Sequence, residues 1–180
     1  MKQVVIVNGV PASGKSTVSG KLTTFLNQAG ICAVPLALDT IKEGLYAEIG
    51  IGDRDHNRML GRASYYAIFD AIAAFPETHV ALVDAWHGFQ PPEVLSRHLE
   101  RAGIERVIEV WCAVSPDTAA ERYRSRIRHP GHPPASYAEE LRELVRSARP
   151  LEQFGPVVTV NTEEVFDPAI CNRLLDLLEL

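Results

Sequence analysis

Residues 9–16 read Gly-Val-Pro-Ala-Ser-Gly-Lys-Ser, directly after a short β-branched run, QVVIVN at 3–8. The stretch fits G-x-x-x-x-G-K-[ST], and its setting is what makes that pattern specific: a buried strand before it and a helix after it. The helix is predicted over 15–29 from Val18, Leu22, Phe25 and Leu26, with Gly30 ending it. Gly9 and Gly14 allow the backbone to curl so that successive N–H groups point inward at an anion, across Pro11, Ala12 and Ser13. Lys15 extends toward β- and γ-phosphates, the Ser16 hydroxyl suits Mg²⁺, and Thr17 continues the first turn. The positive N-terminal end of the helix adds to the attraction. A flexible Gly/Ser loop that merely caps a helix would need none of these fixed positions.

Strand-like and helix-like runs alternate along the rest of the chain. Strands are predicted at 3–8, 32–38, 79–84, 107–114 and 157–160, and helices at 15–29, 59–75, 91–102, 117–127, 137–148 and 168–178. Pro35 places the second strand at an edge. Asp55 or Asn57 is the expected cap of the 59–75 helix, and Ser115-Pro116-Asp117 is a strong helix start. Continuous apolar strands alternating with helices imply a single α/β domain: a five-stranded parallel sheet in three layers, with helices on both faces. Ligands in such sheets bind beyond the carboxyl ends of the strands. That rule gathers 8–16, Asp39, Asp84 and the Ser115 region on one edge.

Composition narrows the function. Apolar residues make up 46% and charged residues 23% of 180, enough for a buried core. The net charge of −5 argues against duplex nucleic acid as a partner. No apolar run reaches the roughly 18 residues of a membrane span, and the N-terminus lacks a signal-peptide core. Cys32, Cys112 and Cys171 are far apart in apolar runs and read as buried free thiols of a cytoplasmic protein. A GTPase would carry D-x-x-G after strand three and N-K-x-D near strand five. Here the chain reads Asp84-Ala85-Trp86-His87 and Asn161-Thr162-Glu163-Glu164.

Four motifs in order, GVPASGKST (9–17), LALDTIK (36–42), ALVDAWH (81–87) and VSPDTAAERYRSR (114–126), resemble the small P-loop kinases of the adenylate-kinase type. The nearer likeness is to the subgroup with zeta toxin, polynucleotide kinase and chloramphenicol phosphotransferase. The resemblance implies ATP and Mg²⁺ as cofactors and a small helical lid whose arginines close over the phosphates. It also implies a carboxylate after strand two as the acceptor-side base, which is Asp39. The same residue could instead cap a helix over 40–46. Lys42 would share its helix face and contact the substrate or solvent. Asp84 is placed to support the metal or to organise its neighbours. Trp86 and His87 could line an acceptor pocket, although Trp86 suits a core equally well.

Arg122 and Arg126 lie four apart and would share a helix face, with Arg124 and Arg128 on another. From 122 to 149 there are seven arginines against three glutamates, a local +4 inside an acidic chain. Arg122 and Arg126 are the expected stabilisers of transferred charge, and 122–149 the lid. "RHPGHPPAS" at 128–136 is expected to be irregular, with Gly131 as a hinge point. Region 41–75 falls where an acceptor would bind, and its only arginines are Arg54, Arg58 and Arg62. That favours an uncharged or weakly charged hydroxyl acceptor. A nucleotide or polynucleotide 5′-hydroxyl kinase and an ATP-binding regulatory module are the alternatives. Oligomeric state is not legible.

Overall fold

The computed structural model describes residues 1–179. Five parallel strands, β1 (Gln3–Asn8), β2 (Cys32–Ala37), β3 (His79–Asp84), β4 (Arg106–Ala113) and β5 (Val157–Asn161), form one sheet in the order β2-β3-β1-β4-β5. Seven helices connect and flank them: α1 (Lys15–Gln28), α2 (Leu38–Ile49), α3 (Arg54–Ala73), α4 (Pro92–Arg101), α5 (Pro116–Ser125), α6 (Ala138–Ser147) and α7 (Ala169–Leu177). This is the expected three-layer α/β arrangement of P-loop kinases. Pro35 lies in β2, an edge strand, where a missing N–H breaks no ladder on the outer side.

Alternation along β1 sorts the core into two faces. Val5 and Val7 pack with Val18, Leu22 and Leu26 of α1 and with Cys171 and Leu174 of α7. Val4 and Ile6 pack with Tyr65, Ile68, Phe69 and Ile72 of α3 and with Leu95 and Leu99 of α4. Helices α5 and α6 form a separate arm over Val10, through Ala119, Ala120, Tyr123, Ala138 and Leu141. Register then decides what emerges together. Ala37 pairs with Asp84 and Asp84 with Val7, so the loop after β1, the start of α2 and the end of β3 share one edge.

Several boundaries differ from expectation for local reasons. Helix α3 starts at Arg54, because Asp53, not Asp55 or Asn57, accepts the His56 amide as its cap. Helix α2 begins at Leu38, directly after β2, so Asp39 lies inside its first turn and is not its cap. Helix α5 stops at Ser125 and Arg126 is extended, with ψ 129°. Arg122 and Arg126 therefore do not share a helix face. Cys112 and Cys171 are buried as expected, but Cys32 is exposed on the edge strand. Among the described residues, no helix is long and apolar enough to cross a membrane.

Candidate active site

A cleft of about 1620 Å³ runs along the carboxyl edge of the sheet. Its floor is the loop from Gly9 to Gly14. Gly9 has φ 151°, and a Cβ there would meet Ser13 Oγ at 2.5 Å and the Cys112 carbonyl at 2.9 Å. Gly14 has φ 87° at the helix start. Ala12 adopts φ 63°, an uncommon conformation for a residue with a side chain. The curl is held from within: Ser13 N donates to the Val10 carbonyl at 3.2 Å, and Lys15 Nζ donates to the same oxygen at 3.0 Å. Pro11, Ala12, Gly14, Lys15, Ser16 and Thr17 line the cleft, whereas Gly9 and the fully buried Ser13 support the loop from behind. The N-terminus of α1 has no side-chain cap and no acid in its first turn, so the Lys15 and Ser16 amides are left for an anion.

Three charged groups meet above this floor. Burial lowers the Lys15 pKa, opposed by Asp84, Cys112 and Asp39. Burial raises that of Asp84, opposed by Lys15 and by the Ser16 hydroxyl beside it. Asp39 shows the opposite balance. The cleft walls work against its charge, but Lys42, His132 and Lys15 together outweigh them and hold its carboxyl below the ordinary range. Lys42 is not solvated: it is buried, with Nζ 3.4 Å from Asp39 Oδ1. So Asp39 stays ionised, and it remains open to the cleft with 62% of its side chain exposed.

The arginines divide. Arg122 donates from Nη1 to Thr162 Oγ1 at 3.1 Å and from Nη2 to the Thr162 carbonyl at 2.7 Å, which ties α5 to the end of β5. Arg124 pairs with Glu139 of α6. Arg126 lines the cleft and favours the ionised form of Asp84. Arg128 lies over the Tyr123 ring at 4.0 Å, and its charge reaches Lys15 and Asp39. Its Nε is buried without a partner. The charge facing the centre thus comes from Arg126 and Arg128, more than from Arg122.

Trp86 forms part of the cleft wall while its ring packs 6.3 Å from that of Trp111. His87 corrects the expectation. It is 4% exposed, does not line the cleft, and shares a 2.6 Å hydrogen bond with the Tyr65 hydroxyl through Nδ1. Burial pushes its pKa down to about 3. Below its ordinary value of 6.5 the unfolded chain takes up a proton that the folded chain refuses, so stability falls as pH drops through that window toward about 3. His87→Asn, whose side-chain oxygen can still accept from Tyr65, should flatten that loss. Melting temperatures at about pH 7.5 and about pH 5 check it: the variant should drop less than the wild type, and parallel losses would show that His87 is not the titrating group.

The irregular segment 128–134 folds down onto α2 and α3. The Tyr46 hydroxyl donates to the Gly131 carbonyl at 2.9 Å, and Asn57 Nδ2 donates to the same oxygen. His129 stacks on Tyr46 at 5.2 Å, and His132 Nε2 lies 2.8 Å from Glu43 Oε1. A Cβ on Gly131 would sit 2.4 Å from the Tyr46 ring. Gly131→Ala should therefore unseat the segment at a cost of roughly 1–3 kcal/mol. Hydrogen exchange in 128–134 should rise about ten- to a hundredfold with little change in melting temperature. Unchanged exchange would show that the contact is not what holds the segment. Tyr46 and Glu43 had no pattern in the sequence to mark them; Asn57 was marked only as a possible helix cap and Gly131 as a hinge point.

Residues 1–128 match the adenylylsulphate kinase family. An adenylyl-sulfate kinase of Enterobacter sp. (strain 638) is 33% identical over 110 residues, which cover 60% of this chain. The chain spans about half, 51%, of that relative's length. The crystal structure of an inferred kinase from Chloroflexus aurantiacus J-10-fl superposes with a TM-score of 0.82 and 29% identity, covering 99% of both chains. Shikimate kinase from Acinetobacter baumannii shares the fold, with a TM-score of 0.63, 14% identity, and coverage of 98% of this chain and 92% of that one.

Proposed function

Because the chain belongs to the adenylylsulphate kinase family, we propose that it transfers the γ-phosphoryl group of ATP to a hydroxyl of a small molecule. The observation that carries this reading is the meeting of Lys15, Asp84 and an ionised Asp39 at one end of a single cleft. Lys15 and the amides of Gly14, Lys15 and Ser16 at the start of α1 hold the phosphates. Asp39 orients the acceptor hydroxyl and takes its proton as the oxygen bonds to phosphorus and ADP departs with the electron pair of the broken P–O bond. Arg126 and Arg128 offset charge on the transferring oxygens, and Arg122 holds the arm at the correct distance through Thr162.

Mg²⁺, when bound, neutralises charge on the β- and γ-phosphates. Ser16 and Asp84, side by side in the cleft, would hold it. Among the described residues there is no cluster of three or more acidic, His or Cys ligands. Residues 122–149 act as a lid and 41–75 as the acceptor region, in the manner of the zeta-toxin, polynucleotide-kinase and chloramphenicol-phosphotransferase subgroup. The seating of 128–134 on Tyr46 and Glu43 supports that division, since it joins the two.

The charge pattern favours a weakly charged acceptor. Arg54 pairs with Glu140, Arg58 with Asp55 and Lys42 with Asp39, so most acceptor-side cations are already engaged. A panel of hydroxyl compounds, with adenylyl sulfate and a 5′-hydroxyl oligonucleotide included, tests the reading through ATP consumption. Consumption should rise sharply with one uncharged or weakly charged member. A response to adenylyl sulfate alone would keep the kinase and reject the weakly charged acceptor. Tight ATP binding with no response to any member would indicate a nucleotide-binding regulatory module instead.

A further inference from the structure

Glu109 interrupts the apolar strand β4, pairs in register with Ile6 and Val157, and is 1% exposed. Each of its oxygens meets a donor: Asn8 Nδ2 at 2.7 Å on Oε1, and the Leu151 amide at 2.6 Å on Oε2. Asn8 is fully buried, and its own oxygen accepts from the Gly9 amide at 2.8 Å and the His87 amide at 3.1 Å. Three distant pieces of chain therefore meet on two side chains. Gly9 opens the phosphate loop, His87 closes the turn that carries Asp84 and Trp86, and Leu151 lies where the chain returns from α6 to the sheet. Burial raises the Glu109 pKa, and the Asn8 and Leu151 donors oppose it. An apolar residue in that strand would avoid the desolvation cost altogether.

We propose that Asn8 and Glu109 are positioning residues that fix the first amide of the phosphate loop against the returning arm and the Trp86 turn, so that nucleotide binding and the setting of the arm are coupled. This rests on the nucleotide-binding reading above. Neither side chain lines the cleft, so both act through what they hold.

The relay has a direction that can be reversed. Glu109 offers acceptors only, and it faces two donors. A glutamine there must turn its amide group toward one of them. The Leu151 amide cannot turn away, and Asn8 cannot flip without abandoning the Gly9 and His87 amides. In the pair N8D/E109Q the central bond runs the other way: the glutamine donates to the new carboxylate, whose second oxygen still accepts from Gly9 and His87. Its own oxygen still accepts from Leu151. One negative charge is present in both versions.

The test uses the full chain as wild type, N8D, E109Q and N8D/E109Q, with three readings on each: Mg·ATP affinity by calorimetry, hydrogen exchange of 126–137 with and without ATP, and melting temperature. Each single variant should bind Mg·ATP about tenfold more weakly, and ATP should no longer slow exchange in the arm. The pair should return to within about threefold of wild type and regain that protection. Singles that lose only melting temperature, with wild-type affinity and protection, would reduce the relay to a structural bond and overturn the proposal. A pair no better than the singles would overturn it too. Should E109Q not fold, folding of the pair with near-wild-type affinity supports the relay, and failure of the pair to fold overturns it. A wild type that does not bind Mg·ATP would overturn the nucleotide-binding reading itself, and this proposal with it.

Discussion

Asp39→Asn should lower phosphoryl transfer by about 10²–10⁴-fold, the usual contribution of a positioned general base, while Mg·ATP affinity stays close to wild type. The amide can still orient a hydroxyl but cannot take its proton. Lys42, His132 and Lys15 hold the Asp39 carboxyl below the ordinary range against the desolvation of the cleft. A base must be deprotonated to act, so activity should fall only as pH drops below the ordinary carboxylate range. Lys42→Met should move that acidic limb upward, because it removes the largest charge holding Asp39 ionised. The Asn variant also leaves the buried Lys42 without its partner, a separate cost to stability. The double variant D39N/K42M distinguishes the two effects: it should recover melting temperature and remain inactive. Transfer at the wild-type rate in D39N would remove Asp39 from the chemistry.

Lys15→Met should weaken Mg·ATP binding and transfer together. Truncating one partner of a desolvated charge pair costs roughly 2–5 kcal/mol, or about thirtyfold to several thousandfold in kcat/KM. The free protein should respond differently. Lys15 is half-buried and desolvation lowers its pKa, so its charge is costly before a phosphate arrives. Its ammonium also occupies the Val10 carbonyl at 3.0 Å, a bond it can exchange for phosphate. Melting temperature without nucleotide should therefore change little, whereas the rise on adding Mg·ATP should be largely lost. Equal nucleotide stabilisation in wild type and variant would show that the loop does not hold the phosphates through Lys15.

The parts of this site that were legible in the sequence are local. A loop needing positive φ at Gly9 and Gly14 announces itself, and so do β-branched strands and a proline that must sit at an edge. Asp39 and Asp84 were placed by the strand-end rule, and the register Ala37–Asp84–Val7 puts them on that edge. Legibility failed where distant residues decide. The cap of α3 is Asp53 because its carboxylate reaches the His56 amide, not because its neighbours lacked the chemistry. Arg126 left the helical face of Arg122 because α5 ends at Ser125, ahead of the proline-rich segment. His87 reads as a cleft residue beside Trp86 until its ring is found against Tyr65. Glu109 carried the one usable signal that went unread, an acid in the middle of RVIEVWCA, where burial on both faces leaves no place for solvent.

The most direct test of the central claim is the fate of the γ-phosphate. Mixed with ATP, Mg²⁺ and the hydroxyl compound that most stimulates ATP consumption, the protein should produce ADP and phosphorylated compound in equal amounts, read together by ³¹P resonance and by the mass of the product. Asp39→Asn should suppress both in parallel. ADP accompanied by inorganic phosphate, with no phosphorylated hydroxyl compound, would contradict the account.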